Sequence, residues 1–364
     1  MITELSLKNF RCFQDFTLEG IRPVTLIAGA NNVGKSTILE SIFLFMSRNS
    51  SDVFLRLNGF RGMQTTSSPF TIWEPLFFDM DMRNGISIAI LDDGNEQSIT
   101  LCRDDSLSLS SIAGIPPLSV FGSAEGGTQP NIGPDKPLSN SYPLKLGYKE
   151  RNVEHVSHFL LTESTRLVLL NRSPAPTIPV RTQYIGSWIF NHAQIASWLS
   201  ALEISNRKDR CIEIARVLEP RTRDISVTNI DGVGGVYVDI GLTKKLSLNV
   251  LGGGVNKYMH IALCMLANPG SILLVDEMEN GFHYSLFPKL WKIIGELAAE
   301  TKCQVFATTH SYECISGAVG LADSDANDDL FRFIRLDRQD GIVVPRAFDN
   351  ESFGYAIRND WEVR

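Results

Sequence analysis

The fold of this chain is decided by the stretch Gly29-Ala30-Asn31-Asn32-Val33-Gly34-Lys35-Ser36, which matches the phosphate-binding loop pattern G-x-x-x-x-G-K-[ST] in full. An apolar run over residues 24–28 predicts a buried strand before the loop, and residues 37–44 predict a helix after it. The glycines let backbone N–H groups point at a polyphosphate at the start of this helix, where the helix dipole favours an anion. Lys35 can reach the outer phosphates, and the hydroxyl group of Ser36 can bind Mg²⁺. The sequence therefore predicts a nucleoside triphosphate site made of Gly29, Ala30, Asn31, Asn32, Val33, Gly34, Lys35, Ser36 and Thr37.

A second motif is an apolar run that ends in two carboxylates, Ser271-Ile272-Leu273-Leu274-Val275-Asp276-Glu277. Strands that helices cover on both faces read as continuous apolar runs, so this one is predicted to lie centrally, beside the phosphate loop. Asp276 is expected to hold Mg²⁺ through a water, and Glu277 to accept a proton from the attacking water. Adjacent acids after a strand also occur as simple helix caps, but the phosphate loop in the same chain favours this Walker B interpretation.

A third motif is the β-rich run over residues 304–311, which reaches His310. A lone histidine at the end of a strand is more often structural than functional. Its place after the acidic strand favours function, because a neutral imidazole there can contact the γ-phosphate and distinguish a triphosphate from a diphosphate.

Composition narrows the class of protein. The chain has 364 residues, 43% hydrophobic and 21% charged, as is usual for a soluble globular protein, and its formal net charge of −7 argues against a uniformly basic nucleic-acid binder. It lacks a signal-peptide pattern and any apolar run near the roughly 20 residues that span a bilayer, so we expect a cytoplasmic protein with no membrane partner. Its six cysteines contain no C-x-x-C pair and are expected to be reduced thiols.

Taken in order, the motifs resemble the ABC-type ATPase heads of the SMC, RecF and overcoming-lysogenization-defect (OLD) class. The opening residues 7–13 resemble its L-x-N-F-R-x-F strand, and 31–37 its N-N-x-G-K-S-T loop. Residues 276–283 resemble D-E-x-E-x-x-x-H, which leads into the D-loop, and 308–311 resemble the T-T-H-S switch. The resemblance implies that Glu277, Lys35 and His310 are catalytic, that Arg11 contacts the nucleotide, and that Ser36 and Asp276 bind the metal.

The glycine-rich segment Leu251-Gly252-Gly253-Gly254-Val255-Asn256-Lys257 opens a predicted helix upstream of the acidic strand. It departs from the L-S-G-G-Q of transporters and is similar to the G-x-G-x-x-R/K signature of this class. The resemblance implies that Gly252, Gly253 and Gly254, here called the signature glycines, cap the γ-phosphate bound by a second subunit. A simple turn before a helix is the alternative interpretation.

We therefore expect an α/β P-loop NTPase with an ABC-type two-lobe ATPase head and a helical insertion. Residues 1–112 are predicted to form a first ATPase lobe that carries the phosphate loop, and 113–143 a flexible loop rich in Pro, Gly and Ser. Helical periodicity from about residue 188 to 221 predicts an insertion over 144–224, followed by a second lobe over 225–364. The Mg²⁺-sensing glutamine of transporter heads has two candidates here, Gln64 and Gln97.

The resemblance implies ATP as substrate, Mg²⁺ as cofactor, and a homodimer that acts as a switch or sensor in DNA repair or anti-phage defence. Residues 311–364 show no acidic nuclease cluster and are too few for a Toprim domain, so we expect a stand-alone head with a separately encoded effector protein. DNA or RNA is a further expected partner, through a basic stretch that includes Arg207, Lys208 and Arg210; the alternative is an ordinary solvated helix face. Two rival functions are the ATPase subunit of a membrane transporter and a non-hydrolysing, ATP-gated scaffold.

Overall fold

The computed structural model of the chain describes residues 1–50, 52–63, 69–104, 120–121, 143–161, 167–171, 180–186, 192–230, 233–323 and 329–363. The chain divides into two compact units. Unit 1 comprises Met1–Glu19 and Glu40–Pro179, and unit 2 comprises Gly20–Leu39 and Val180–Arg364.

The strands of the described residues are, in chain order, β1 (Ile2–Phe10), β2 (Phe13–Leu18), β3 (Val24–Gly29), β4 (Ile86–Asp92), β5 (Asn95–Arg103), β6 (Val120–Phe121), β7 (Leu144–Glu150), β8 (Val153–Leu161), β9 (Leu167–Asn171), β10 (Thr182–Ile185), β11 (Asp224–Ile230), β12 (Val233–Asp239), β13 (Leu246–Ser247), β14 (Ile272–Val275), β15 (Gln304–Thr308), β16 (Phe331–Gln339) and β17 (Ile342–Phe348). The α-helices are α1 (Lys35–Met46), α2 (Val53–Phe60), α3 (Pro69–Trp73), α4 (His192–Ile204), α5 (Lys208–Leu218), α6 (Gly253–Ala267), α7 (Phe287–Thr301), α8 (Tyr312–Gly317), α9 (Val319–Ala322) and α10 (Asn350–Arg358). Short 3₁₀ helices occur at Glu74–Leu76, Phe78–Met80, Leu248–Leu251 and Tyr284–Leu286.

Unit 1 is built on an antiparallel sheet of eight strands in the order β2-β1-β4-β5-β7-β8-β9-β6. Its strands alternate between buried and more exposed positions; in β7, for example, Leu144, Leu146 and Tyr148 are buried. Such alternation is typical of a sheet with one face on the core. Phe54 of α2 packs edge-on against Trp73 and Phe159, with ring centroids 5.1 and 4.7 Å apart.

Unit 2 is built on a six-stranded sheet in the order β10-β14-β15-β3-β16-β17, in which all pairs are parallel except the β16–β17 hairpin. Every residue of β3, β14 and β15 is buried, as expected for strands that are covered on both faces. α6 is buried almost all round, and α7 buries one apolar face. Because parallel strands share direction, the carboxyl ends of β10, β14, β15 and β3 meet at one edge of the sheet.

The structure confirms most predicted elements near the motifs and corrects two boundaries. The phosphate loop lies in unit 2, not in a first lobe over 1–112, because β3 is inserted between β15 and β16. The interval 144–224 is not a helical insertion throughout, because β7, β8, β9 and β10 precede the helices α4 and α5. Apart from residues 120–121 and 143, the predicted loop over 113–143 lies outside the described residues.

Candidate nucleotide-binding and hydrolysis site

The phosphate loop links β3 to α1 through backbone conformations that favour glycine. Gly29 and Gly34 have φ values of +142° and +99°, and a side chain at Gly29 would collide with the backbone oxygen of Leu336 on β16. Asn32 also has a positive φ, +64°, and its carbonyl oxygen accepts a hydrogen bond of 2.9 Å from Arg338. These contacts hold the loop open at the start of α1, which is the geometry that a polyphosphate requires.

The ammonium group of Lys35 lies over its own loop. Its Nζ donates to the carbonyl oxygens of Gly29 (2.7 Å) and Ala30 (2.9 Å). Burial lowers the pKa of Lys35, while the carboxylates of Glu279, Asp276 and Glu277 oppose that shift. Because charged phosphate oxygens are stronger acceptors than carbonyl groups, we expect a nucleotide to draw this side chain away from the loop.

Three hydroxyl groups meet at the carboxylate of Asp276. Ser36 donates to Oδ1 at 3.0 Å, Thr308 donates to the same oxygen at 2.5 Å, and Tyr184 donates to Oδ2 at 3.0 Å. Mg²⁺ prefers oxygen ligands and is usually bound by one or two carboxylates together with waters and substrate phosphates. The Asp276 carboxylate and Ser36 hydroxyl therefore fit this ion.

Glu277 has a left-handed backbone conformation, with φ of +48°, which costs a non-glycine residue about 1–3 kcal/mol. The surrounding structure fixes it. Its N–H donates to the hydroxyl of Thr308 (2.9 Å), and its Oε2 accepts from Asn280 (2.6 Å). The buried ammonium group of Lys257 donates to the carbonyl oxygens of Asp276 (3.1 Å) and Glu277 (2.6 Å). Burial lowers the pKa of Lys257 to about 8, with nearby carboxylates opposing the shift.

His310 follows β15 and precedes α8, which begins with Ser311 as its N-cap. The imidazole Nδ1 lies 2.7 Å from Oε1 of Glu279, and the backbone N–H of His310 donates to the same oxygen at 2.8 Å. The side chain of His310 is 49% exposed, whereas that of Glu279 is 10% exposed. The histidine thus lies at the same sheet edge as the phosphate loop and Asp276, turned partly to solvent.

The signature glycines open α6 without a side-chain cap. Gly252, with φ of +106°, and Gly253 are exposed, and a methyl group added to either would meet nothing within 4 Å among the described residues. Gly254 is buried against the backbone of Gly281, so that a methyl group there would overlap its carbonyl oxygen. The first turn of α6 is therefore a bare helix start that faces outward.

Two further predicted residues lie in unit 1. Arg11 is nearly buried and pairs with Glu40, whose Oε2 is 2.6 Å from its Nε; its role at the nucleotide stays a prediction. Gln97 lies on β5, where it accepts a hydrogen bond of 3.2 Å from Tyr148. The other candidate, Gln64, lies outside the described residues.

The basic stretch before and within α5 is neutralised by acids of the same unit. Arg207 pairs with Glu300, and Arg210 lies 3.2–3.6 Å from carboxylate oxygens of Glu213, Glu296 and Glu300. Lys208 contacts Glu203 at 3.2 Å and Asp224 at 2.9 Å. These ion pairs favour an ordinary solvated helix face over a nucleic-acid-binding face.

Several site residues were not found by sequence reasoning, and each is separated from its partner by a long stretch of chain. Tyr184 precedes the hydroxyl-bound Asp276 by 92 positions, and Arg338 follows Asn32 by 306. Lys257 and Glu279 stood inside recognised motifs, and their burial against charged or carbonyl groups was the missing information. A lysine in a largely apolar helix was an available signal for Lys257.

Two family models match the chain: "AAA ATPase domain" over residues 1–115, and "AAA domain, putative AbiEii toxin, Type IV TA system" over residues 159–316. An "ATP/GTP phosphatase" of Helicobacter pylori is 23% identical over 390 aligned residues, which cover 99% of both chains. An "OLD nuclease" of Thermus scotoductus is 25% identical over 381 residues, covering 94% of this chain and 64% of that relative. These matches support an SMC/RecF/OLD-like ATPase head.

Solved structures agree with this ATPase head at the level of fold. An Smc head domain from Pyrococcus furiosus, bound to the C-terminal domain of ScpA, has a TM-score of 0.50 at 12% identity and covers 99% of both chains. Another Smc head, bound to the C-winged-helix domain of ScpA, has a TM-score of 0.51 at 13% identity and covers 96% of this chain and 97% of that one. The fold is thus a P-loop NTPase of the ABC type, and the protein is an ATPase. None of the described helices is long and apolar enough to cross a bilayer.

Proposed function

We propose that this ATPase head hydrolyses ATP with Mg²⁺ at composite sites in a head-to-head homodimer and works as a nucleotide switch. The observation that carries the proposal is the contact of Ser36 with Asp276, 3.0 Å apart, beside Lys35 and Glu277 in unit 2. The residues proposed as metal ligands, phosphate-binding cation and base therefore lie together at one sheet edge, which supports the proposal.

In this mechanism Lys35 leaves its loop carbonyls for the outer phosphates, and Ser36 and Asp276 hold Mg²⁺. The ion supplies charge neutralisation on the phosphate oxygens. Glu277, fixed by Asn280 and by the contacts to its backbone, orients the attacking water and accepts its proton. His310 contacts the γ-phosphate side of the site.

A second copy of the head completes the site in this proposal. The bare start of α6 offers backbone N–H groups and a helix dipole, which suit the γ-phosphate bound by the partner. Two large exposed side chains lie close to this surface in the sequence: Val250, two positions before Gly252, is 69% exposed, and Tyr284, three positions after Gly281, is 63% exposed. Exposed apolar groups of this kind favour a protein interface.

The switch role is proposed to act on a separate effector in a nucleic-acid-related system, with anti-phage defence as the biological setting. The OLD nuclease relative and the toxin–antitoxin description of one matched model support this setting. The transporter alternative has no specific support in the described site. A non-hydrolysing scaffold is opposed by the ordered position of Glu277, which a scaffold does not require.

The substitution Glu277→Gln tests the chemistry. It keeps an oxygen that can accept from Asn280 but removes the base, so turnover should fall roughly 10²-fold or more while ATP binding persists. Glu313→Gln, which removes one exposed carboxylate near His310, serves as the control. Turnover with ATP and with GTP is measured in parallel, since a relative is named an ATP/GTP phosphatase. Unchanged turnover in purified Glu277→Gln protein would remove Glu277 as the base.

A further inference from the structure

Among the described residues, the side-chain carboxylate of Glu279 accepts hydrogen bonds from His310 alone. Its Oε1 faces both the ring Nδ1 of His310 (2.7 Å) and the backbone N–H of the same residue (2.8 Å). Its other oxygen, Oε2, is buried and has no hydrogen-bond partner within the part of the chain that the structure describes. The carboxylate therefore holds His310 by two points, the ring and the main chain.

The carboxylate of Glu279 is largely buried where it contacts His310. The side chain of Glu279 is 10% exposed, so an unpaired carboxylate here would carry a large desolvation cost. Burial lowers the pKa of Lys35 and of Lys257, and the nearby carboxylate of Glu279 opposes both shifts. The negative charge is thus compatible with its position, and it is aimed at His310.

The neighbouring carboxylate has a different partner. Glu277 accepts a hydrogen bond from Asn280 at 2.6 Å, so the two acids around Met278 have separate tasks. In the proposed mechanism Glu277 acts on the attacking water, and Glu279 contacts the imidazole of His310. Because a carboxylate only accepts hydrogen bonds, the proton between Glu279 and His310 belongs to Nδ1, and Nε2 lies on the opposite edge of the ring.

We infer that Glu279 is a positioning residue for His310: it keeps the proton on Nδ1 and turns Nε2, whose lone pair can accept a hydrogen bond from the attacking water, toward the reacting phosphate. The inference deepens the proposed function and rests on it for the role of Nε2. A buried carboxylate that orients a histidine is an established way to set which nitrogen faces the substrate. Removal of Glu279 should therefore release the ring.

The first measurement follows the ring directly. The protein is labelled with ¹⁵N-histidine and studied by NMR at a pH where the ring is neutral. The ring signals of His310 are the ones that are missing from the spectrum of His310→Gln. Wild-type protein and the control Glu313→Gln should show His310 protonated at Nδ1. Glu279→Ala should shift it to the Nε2-protonated tautomer that a histidine side chain exposed to water favours. The same Nδ1 pattern in Glu279→Ala would overturn the inference, whether or not the proposed ATPase mechanism holds.

The second measurement separates positioning from general damage to the site. Glu279→Ala should lower kcat by roughly 10-fold, to the level of His310→Gln, and the double variant should be no slower than either single one. Glu279→Gln, whose amide oxygen can still accept from Nδ1, should recover part of the rate. Affinity for ADP, which lacks the γ-phosphate, should change much less than kcat in all of these variants. Additive losses of kcat, or an equal loss of ADP affinity, would instead make Glu279 a structural residue.

Discussion

Two glycine-rich segments of unit 2 each open a helix, and they differ in what surrounds them. The phosphate loop before α1 carries its own cation, with Lys35 2.7 Å from Gly29 O, and lies beside the Ser36–Asp276 pair. The signature glycines, which open α6, have no side-chain cap, and a methyl group added to Gly252 or Gly253 would meet nothing within 4 Å among the described residues. Both helix starts suit an anion, but only the phosphate loop also has a lysine and candidate metal ligands beside it.

The difference points to a division of labour. A helix N-terminus contributes only part of a unit charge, so a bare one stabilises a phosphate weakly unless another group brings that phosphate to it. The phosphate loop supplies the missing parts, namely a lysine and metal ligands. A site shared between two copies would use the first segment to bind the nucleotide and the second to recognise its γ-phosphate.

The largest expected effect is a loss of ATP affinity when the phosphate loop is changed. Lys35→Ala should weaken ATP binding by roughly 10²-fold or more, because removal of one partner from a charged contact costs about 2–5 kcal/mol. Lys292→Ala, at an exposed position of α7, is the control and should leave affinity unchanged. Titration with a fluorescent ATP analogue measures both. Equal affinities would mean that the loop binds phosphate through its backbone alone, and the contrast with the signature glycines would disappear.

A smaller effect, on turnover and dimerisation, is expected when the signature glycines are changed. It should appear only in the dimer. Gly253→Asp has room for its side chain, and an acid in the first turn stabilises a helix by about 0.3–1 kcal/mol, so the monomer should fold normally. Facing a γ-phosphate, the same charge should lower turnover at least about 10-fold and abolish ATP-dependent dimerisation. Gly253→Ala is the matched control, because it adds a methyl group without charge. Loss of both properties in Gly253→Ala as well would point to backbone conformation as the cause, not to an anion.

The smallest effect concerns Ser36 and Asp276, the two proposed ligands of Mg²⁺. Tyr184→Phe removes the hydroxyl that donates to Oδ2 of Asp276, while the contacts from Ser36 and Thr308 to Oδ1 remain. The Mg²⁺ concentration that half-saturates nucleotide binding should rise several-fold, up to about 10-fold, with binding in EDTA unchanged. Tyr237→Phe on β12 is the control. An equal loss of affinity in EDTA would show that Tyr184 supports the fold and not the metal.

Sequence reasoning recovered the parts of this head that are local in the chain. The loop at Gly29–Ser36, the strand before Asp276 and the helix after Gly252 all follow from periodicity and turn residues within short windows. The position of β3 in its sheet could not be predicted from such local patterns. Its strand neighbours β15 and β16 lie hundreds of residues away, so its membership of unit 2 is a tertiary fact.

The errors and omissions at the site have the same origin. Leu144, Leu146 and Tyr148 alternate with polar residues, a period of two that was overlooked beside the stronger helical pattern further along. Tyr184, Lys257 and Glu279 gain their roles only from partners brought close by folding. The basic stretch around Arg210 was visible in the sequence, but its neutralisation by Glu296 and Glu300 of α7 was not.

The contrast between the two helix starts is tested most directly by mixing two inactive variants. Lys35→Ala protein keeps intact signature glycines, and Gly253→Asp protein keeps an intact phosphate loop. If the site is shared, a heterodimer has one site that pairs the intact loop with the intact signature, and the mixture should regain up to about half of wild-type turnover per heterodimer. Subunit exchange is confirmed by pull-down of differently tagged chains in the presence of ATP. No recovery of turnover in exchanged heterodimers would contradict the shared site and mean that each chain builds its active site alone.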